Sequence, residues 1–391
     1  MVRPLLLSLC LLAGCGGTEK PVKPVKTKKQ KQTDTRALLS EARALAKDGD
    51  IDAADRAYGK AYKAAPKEFE VLLEHVEYLI DQGRSERAQT VAKEFYDANP
   101  TDPKGYAVYA EALLAGGKGT EALSVADELI GLNKDDAAGH ERRGRALLLL
   151  ERNEEAVEEL RKAVALDDDK ASFQLSLGLA LHKLGRVDEA ALKFRAALQL
   201  DPDDADVHVY LGMALRDQGE LDESRAFLDK AIAMDARNGR AYFELGLLYN
   251  RQGKQSDAEI ALSKAVQLKP NESLFWYAYG EIYRLQDRVE EALNAYKKAV
   301  ELDPPYPKAI SKLAAVLVDK KKYDEAEALL IPMIRRDAKN HVAYMNLGVV
   351  YAARGKKKAA IDNYQKFLEY APKNDPDRGR VKDAIADLKR R

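Results

Sequence analysis

Residues 171–204 read ASFQLSLGLALHKLGRVDEAALKFRAALQLDPDD, and the pattern of this segment occurs ten times in succession between residues 35 and 374. The period is 34 residues throughout, with no insertion or deletion. The twentieth position of the repeat is alanine in nine copies, and the eighth position is small in nine copies. A fixed period of this length predicts a stacked array, and small residues at a fixed phase mark places where two backbones approach closely.

Each repeat has the pattern of two amphipathic helices joined by a tight turn. In the quoted copy, Gly178 lies among apolar residues of the first helix, and Gly185 ends that helix because glycine adopts a left-handed cap without steric penalty. Phe194 and Ala197 share one face of the second helix. Pro202 follows at a point where a helix cannot continue. The sequence therefore predicts ten helix pairs.

The copies resemble the tetratricopeptide repeat (TPR), and this resemblance covers residues 35–374. It implies an all-α fold, a right-handed α-solenoid superhelix of ten TPR helix pairs. Residues 375–391 carry one apolar stripe and are predicted to form a C-terminal capping helix over the exposed end of the core. One nearly complete copy of the family pattern contains Trp276, Gly280, Tyr283, Ala292, Tyr296, Ala299 and Pro304.

Two kinds of departure from the repeat pattern stand out. Glu151, Asp287 and Lys321 replace the glycine of the turn between the two helices. Pro332 falls inside the predicted second helix of the ninth repeat, where we expect it to kink or shorten the helix. The ninth repeat is therefore predicted to be less regular than its neighbours.

The N-terminal segment has a different character from the repeats. Residues 1–14 carry one positive charge, at Arg3, followed by an apolar stretch too short to span a membrane, as in a secretory signal. Leu12-Ala13-Gly14-Cys15 resembles the lipobox of bacterial lipoproteins, which implies cleavage before Cys15 and its lipidation. Several acyl chains would give a stable anchor. The alternative is an ordinary signal peptide with an incidental cysteine.

Residues 15–34 are predicted to form a lipidated, basic tether that stays disordered or extended. Gly16 follows the cysteine, which in enterobacterial lipoproteins favours the outer membrane, and we expect the protein to face the periplasm. The six lysines of this segment would be attracted to anionic lipid or cell-wall polymers, or would only keep a solvated spacer extended.

Composition argues against several function classes. Lys plus Arg equals Asp plus Glu at 64 each, which gives no reason to expect a nucleic-acid partner. Cys10 would leave with the signal and Cys15 would be modified, so the mature chain has no thiol for a disulfide, a metal or catalysis. The five histidines lie in different repeats without metal-ligand spacing. We therefore expect no enzyme activity, no metal and no cofactor.

The family resemblance also points to candidate binding residues. In TPR arrays the first helices line a concave groove, into which positions 2, 5, 9, 12 and 13 point. Repeats five to eight combine polar residues at position 12 with mostly apolar residues at positions 5 and 9, a pattern suited to an extended peptide. The alternative is that this register arises by chance. The candidate groove residues are Leu175, Leu179, His182, Val209, Met213, Arg216, Phe243, Leu247, Asn250, Tyr277, Glu281 and Arg284.

These patterns favour a non-catalytic, membrane-anchored scaffold or assembly factor of the bacterial cell envelope. It would hold proteins or extended peptide segments of secretin, pilus, motility or secretion complexes. One alternative is an adaptor that recruits or regulates peptidoglycan synthases or hydrolases. A third is an enzyme or a small-ligand-binding protein.

Overall fold

The computed structural model describes residues 28–66 and 68–390. Within these ranges the chain forms 21 α-helices and no strand. The helices are α1 Lys28–Lys47, α2 Ile51–Ala64, α3 Phe69–Asp81, α4 Ser85–Ala98, α5 Pro103–Ala115, α6 Gly119–Leu132, α7 Ala137–Leu149, α8 Asn153–Leu166, α9 Ala171–Lys183, α10 Val187–Leu200, α11 Ala205–Gln218, α12 Leu221–Met234, α13 Gly239–Arg251, α14 Gln255–Leu268, α15 Ser273–Leu285, α16 Val289–Leu302, α17 Pro307–Asp319, α18 Tyr323–Arg336, α19 His341–Ala353, α20 Lys357–Tyr370 and α21 Arg378–Arg390.

The helices pack as consecutive antiparallel pairs, in two compact units that divide at Lys134 and Asp135. The N-terminal unit holds the pairs from α1 to α6. The C-terminal unit holds the pairs from α7 to α20, followed by α21. Within each unit every helix contacts the next helix along the chain. The prediction of an all-α solenoid built from helix pairs is confirmed.

The small residue at the eighth position of a repeat lies where the two helices of a pair touch. A Cβ atom on Gly280 would lie 2.7 Å from Cε1 of Tyr296, so the ring rests directly on the glycine backbone. In the second repeat the sizes are exchanged. Val76 occupies the eighth position there, and it shares a buried cluster with the small Ala92. The predicted close approach of the two helices is therefore confirmed. The large side chain lies on the second helix in some repeats and on the first helix in the second repeat.

The turn between the two helices keeps its geometry whether or not it holds glycine. Gly185 has φ +73°, in the left-handed region, as predicted from the helix pattern. Glu151, Asp287 and Lys321 adopt φ values of 59°, 58° and 59° at the equivalent position. These three residues hold a backbone conformation that costs a residue with a Cβ atom about 1–2 kcal/mol.

Pro332 does not shorten its helix, so that part of the prediction is wrong. Helix α18 runs for 14 residues, as do the second helices of the neighbouring repeats. Its residues Ala326, Leu330 and Met333 are buried in the same cluster as residues of α17 and α19. Tertiary packing of this face holds the helix together across the proline.

The first helix begins earlier than predicted. Helix α1 starts at Lys28, inside the segment expected to be extended, so residues 28–34 are helical. Lysine and glutamine are good helix formers, and no glycine or proline lies between Lys28 and Thr35 to stop the helix. The predicted signal segment, the lipidation site Cys15 and the rest of the tether lie outside the described residues.

Helix α21 packs on the last repeat. Val381 and Ile385 are buried against a cluster that includes Tyr364 and Phe367 of α20, with Leu388 partly buried beside them. The apolar stripe of α21 therefore covers an apolar face of α20.

Candidate binding groove

The predicted ladder of polar residues at position 12 lies on α9, α11, α13 and α15. His182 Nε2 is 2.9 Å from Oδ2 of Asp217, and Arg216 donates to the same carboxylate at 3.0 Å. Arg284 Nη2 is 3.3 Å from Oε2 of Glu281. Three of the four predicted donors are therefore already held by carboxylates of the same unit.

Arg216 joins α11 to α13 through an ion pair. Its guanidinium donates to Glu244, whose side chain is 3% exposed, while the Arg216 side chain is 12% exposed. Burial raises the pKa of Glu244, and the positive charge of Arg216 opposes that rise. A carboxylate buried this deeply needs its partner, so the pair serves the structure of these repeats.

The carboxylate of Asp217 is held in its charged form by the predicted donors. Burial acts to raise the pKa of Asp217, but the hydrogen bond from His182 and the charge of Arg216 together lower it. The carboxylate therefore offers a hydrogen-bond acceptor to these donors over the whole neutral range.

Part of the predicted apolar strip is buried and cannot receive side chains of a partner. Val209, Met213 and Phe243 belong to the core, and the ring of Phe243 stacks on that of Phe275 with centroids 4.4 Å apart. The first helices of adjacent repeats lie close enough for these side chains to be enclosed between them. The predicted apolar positions that stay partly exposed are Leu175, Leu179, Leu247 and Tyr277.

A cavity of about 830 Å³ lies further along the same unit, between α15, α17, α19 and α21. We call it the C-terminal groove. Its floor is apolar and includes Tyr277, Val318, Met345 and Val349. Its edge is mainly basic, with Lys308, Lys312 and Arg380 beside the carboxylate of Asp377.

Small residues of the ninth repeat open this groove. Ser311 and Ala315 stand at positions 5 and 9, where the eighth repeat has Tyr277 and Glu281. Asn346 Nδ2 donates to Oγ of Ser311 over 2.9 Å and so joins α17 to α19 across the groove. Short side chains at these two positions leave a hollow between the first helices, with hydrogen-bonding groups in its wall.

The charges at the edge of the groove are only partly compensated. Lys312 Nζ is 3.1 Å from Oε2 of Glu281, and Arg380 Nη2 is 3.0 Å from Oδ1 of Asp377. Within the described part of the chain, Lys308 makes no ion pair. The three cations thus face two carboxylates, which leaves the edge of the groove positive, with Lys308 as the charge that no ion pair among the described residues compensates.

The carboxylate of Glu281 accepts hydrogen bonds from several side chains near this edge. Burial works to raise its pKa, but hydrogen bonds from Tyr296, Arg284 and Lys312 hold the pKa below its ordinary value. The predicted groove residue Glu281 therefore positions Lys312 at the edge of the C-terminal groove, and Arg284 pairs with the same carboxylate.

A second cleft, of about 840 Å³, lies along α13, α14 and α15. Tyr242, Tyr249 and Tyr279 line it together with Ile260, which is 71% exposed. These residues do not occupy the groove positions of the repeat. This cleft therefore provides a reference surface outside the groove.

The described residues contain no cluster of three or more His, Cys, Asp or Glu side chains arranged to hold a metal ion. Among the helices of the described ranges, none is long and apolar enough to cross a membrane.

The prediction from sequence did not include Lys308, Val349 or Arg380. Lys308 and Val349 stand at groove positions 2 and 9 of their repeats. The small residues Ser311 and Ala315 could have predicted the hollow from the sequence. Arg380 lies outside the repeat register. Only the packing of α21 shows that it reaches the groove.

Several family profiles match the chain. Three profiles described as tetratricopeptide repeat match residues 17–164, residues 141–205 and 209–273, and residues 181–233. The profile described as the TPR domain of cytochrome c-type biogenesis protein H matches residues 256–378. That last match spans most of the C-terminal groove. No curated protein matches the sequence.

Solved structures share the architecture. The crystal structure of yeast Tom70 is 15% identical, with 92% of this chain and 96% of that chain covered and a TM-score of 0.54. The crystal structure of the APC/C hetero-tetramer Cut9–Hcn1 is 14% identical, with 91% of this chain and 76% of that chain covered and a TM-score of 0.55. The crystal structure of a tetratricopeptide repeat protein from Parabacteroides merdae is 19% identical, with 64% of this chain and 98% of that chain covered and a TM-score of 0.51. At these identities the likeness concerns the fold.

Proposed function

Because this chain belongs to the tetratricopeptide repeat family, whose members bind protein or peptide partners, we propose that it is a non-catalytic scaffold that holds an extended segment of another protein in the C-terminal groove. The TPR fold is typically non-catalytic. A long apolar floor with polar groups along its edges suits an extended chain, since alternate side chains can pack down while others reach the edge.

The observation that carries this proposal is the open space at Ser311 and Ala315. These residues leave a hollow of about 830 Å³ at the groove positions of the repeat, with Val349 38% exposed on its floor. In the seventh repeat, by contrast, Phe243 fills the equivalent position and is buried against Phe275. A partner segment therefore finds room in the last repeats rather than in the seventh.

We further propose that the scaffold is an assembly factor of the bacterial cell envelope. The lipobox resemblance around Cys15 supports lipid anchoring, with the outer membrane and the periplasm as the proposed location. The match to the TPR domain of cytochrome c-type biogenesis protein H favours a role in the assembly of other proteins over the recruitment of peptidoglycan enzymes.

The test of groove binding compares two variants of the full chain. Ala315→Trp fills the C-terminal groove, and the control Ala233→Trp places the same bulk at an exposed alanine of α12. Tagged proteins are recovered from envelope extracts, and the bound proteins are quantified by mass spectrometry. Proteins bound by both the wild type and the control, but lost from Ala315→Trp, are the expected result. An unchanged set of partners with Ala315→Trp would show that the groove is not the binding site.

Anchoring has a separate test. We expect Cys15→Ala to move the chain from the detergent-soluble membrane fraction to the aqueous fraction. Incorporation of labelled palmitate into the wild type, and its absence from the variant, would identify the lipidated residue. An unlabelled wild-type chain would contradict the lipoprotein proposal and leave the groove proposal intact.

A further inference from the structure

We infer that helix α21 forms part of the binding site, and that Lys308 and Arg380 select an extended segment carrying a carboxylate between apolar side chains. This inference rests on the proposed function and names the chemistry of the partner. It assigns α21 a role in recognition besides covering the end of the core.

Helix α21 contacts both the end of the core and the C-terminal groove. Val381 and Ile385 face the buried cluster on α20 and close the end of the core. Arg380 lines the groove, and Val381 and Ala384 contribute both to the groove lining and to the packing on this cluster. Arg380 Nη2 lies 3.7 Å from Sδ of Met345, so its guanidinium is held over the apolar floor that α19 provides. The charged group therefore sits at the wall of the groove, beside its apolar floor.

The positive charge available to a partner is concentrated at two residues. Lys312 is engaged by Glu281 at 3.1 Å, whereas Lys308 is exposed and makes no ion pair with any described residue. Arg380 is 69% exposed and uses part of its guanidinium on Asp377. Because a guanidinium has five N–H donors, Arg380 keeps donors for a second carboxylate.

Charge complementarity identifies the occupant. Lys308, Lys312 and Arg380 face two carboxylates, Asp377 in the lining and Glu281 beside Lys312, which leaves the groove with a net positive charge. A basic segment would meet Lys308 and Arg380 as like charges, which is costly at an interface. A wholly polar acidic segment would leave Val318, Met345 and Val349 without contacts. An extended segment in which acidic and apolar residues alternate satisfies both the floor and the edge.

The test uses three labelled synthetic peptides and the full chain in detergent. The peptides are a Leu-Glu alternating hexapeptide and its two counterparts with Gln or Lys in place of Glu. Binding is followed by fluorescence anisotropy. We expect the wild type to prefer the Glu peptide over the Lys peptide by about tenfold, as two exposed ion pairs would give. The preference should weaken with added salt.

The variants separate this inference from the proposed function. The double variant Lys308→Glu with Arg380→Glu is expected to prefer the Lys peptide, and Lys308→Gln with Arg380→Gln to bind the Glu and Lys peptides about equally. The control Lys264→Glu changes an exposed lysine of the second cleft and should leave the preference unchanged. Ala315→Trp should abolish binding of all three peptides. Circular dichroism checks that each variant is folded.

Each possible outcome decides the question. A preference for the Glu peptide that survives both double variants would overturn the inference, while loss of binding in Ala315→Trp would still support the groove. Equal binding of peptides to the wild type and Ala315→Trp would contradict the proposed function itself. If the wild type binds none of the peptides, the stated partner chemistry is wrong.

Discussion

A Cβ atom built on Gly178 would lie 2.5 Å from Cε1 of Phe194, so the phenyl ring of α10 packs directly against the backbone of α9. Real Cβ atoms do not approach other atoms this closely, and a buried ring has little room to move. We expect Gly178→Ala to lower the free energy of unfolding by about 1–3 kcal/mol. Urea denaturation followed by circular dichroism measures the change.

Gly131 provides the matched control for this prediction. It also lies within a helix, but a Cβ atom there would meet nothing within 4 Å. We expect Gly131→Ala to raise the free energy of unfolding by about 0.5–1 kcal/mol, since alanine favours the helix and restricts the unfolded chain. Similar effects of the two substitutions would contradict the packing argument.

Glycine should stabilise the turn of the ninth repeat. Lys321 has φ +59°, and relief of this left-handed strain outweighs the greater flexibility that glycine gives the unfolded chain. We expect Lys321→Gly to stabilise the protein by about 1 kcal/mol. Lys321→Ala should be nearly neutral, because alanine keeps the strain. Thermal unfolding of both variants gives the comparison, and a lower melting temperature for Lys321→Gly would refute the prediction.

Two arginines of the predicted polar ladder should behave differently. Arg216→Ala would leave the buried Glu244 without its partner, and we expect a loss of about 3–5 kcal/mol. Arg284 is 45% exposed and paired with a carboxylate that has two other donors, so Arg284→Ala should cost less than about 1 kcal/mol. Denaturant titration of the two variants tests the difference. Equal losses would mean that Arg216 does not have the structural role assigned to it.

The N-terminal unit should lose stability below neutral pH because of His75. Burial lowers the pKa of His75, although Asp55, 2.7 Å from its Nε2, acts to raise it. The unfolded chain therefore binds a proton at His75 first, near its ordinary pKa of about 6.5. Stability contributed by this residue is full above that pH and falls as the pH decreases below it.

His75→Leu should remove this pH dependence. Leucine occupies the same position in several other repeats, and Asp55 keeps its ion pair with Arg87 at 3.1 Å. We expect the difference in melting temperature between pH 7.5 and pH 5.5 to be smaller in the variant than in the wild type. The same difference in both proteins would show that another group causes the acid sensitivity.

The repeat register predicted much of the fold because it records contacts within a pair. It identified the close approach at Gly280 and the left-handed turn at Gly185, since both depend on residues a fixed distance apart in one repeat. The burial of Phe243 could not be predicted from the sequence, because its stacking on Phe275 depends on how adjacent repeats pack. The contribution of Arg380 to the wall of the C-terminal groove could not be predicted either, since Arg380 belongs to a helix outside the repeat pattern.

Site-specific photocrosslinking in cells shows whether a partner segment lies in the C-terminal groove. A photoreactive residue is placed at Val349, on the floor of the groove, or at Ile260, in the second cleft, and the crosslinked peptides are mapped by mass spectrometry. We expect Val349 to crosslink to one extended stretch of a partner and Ala315→Trp to remove this adduct. Adducts at Val349 that persist with Ala315→Trp, or the same partner stretch captured only from Ile260, would show that the partner does not bind in this groove.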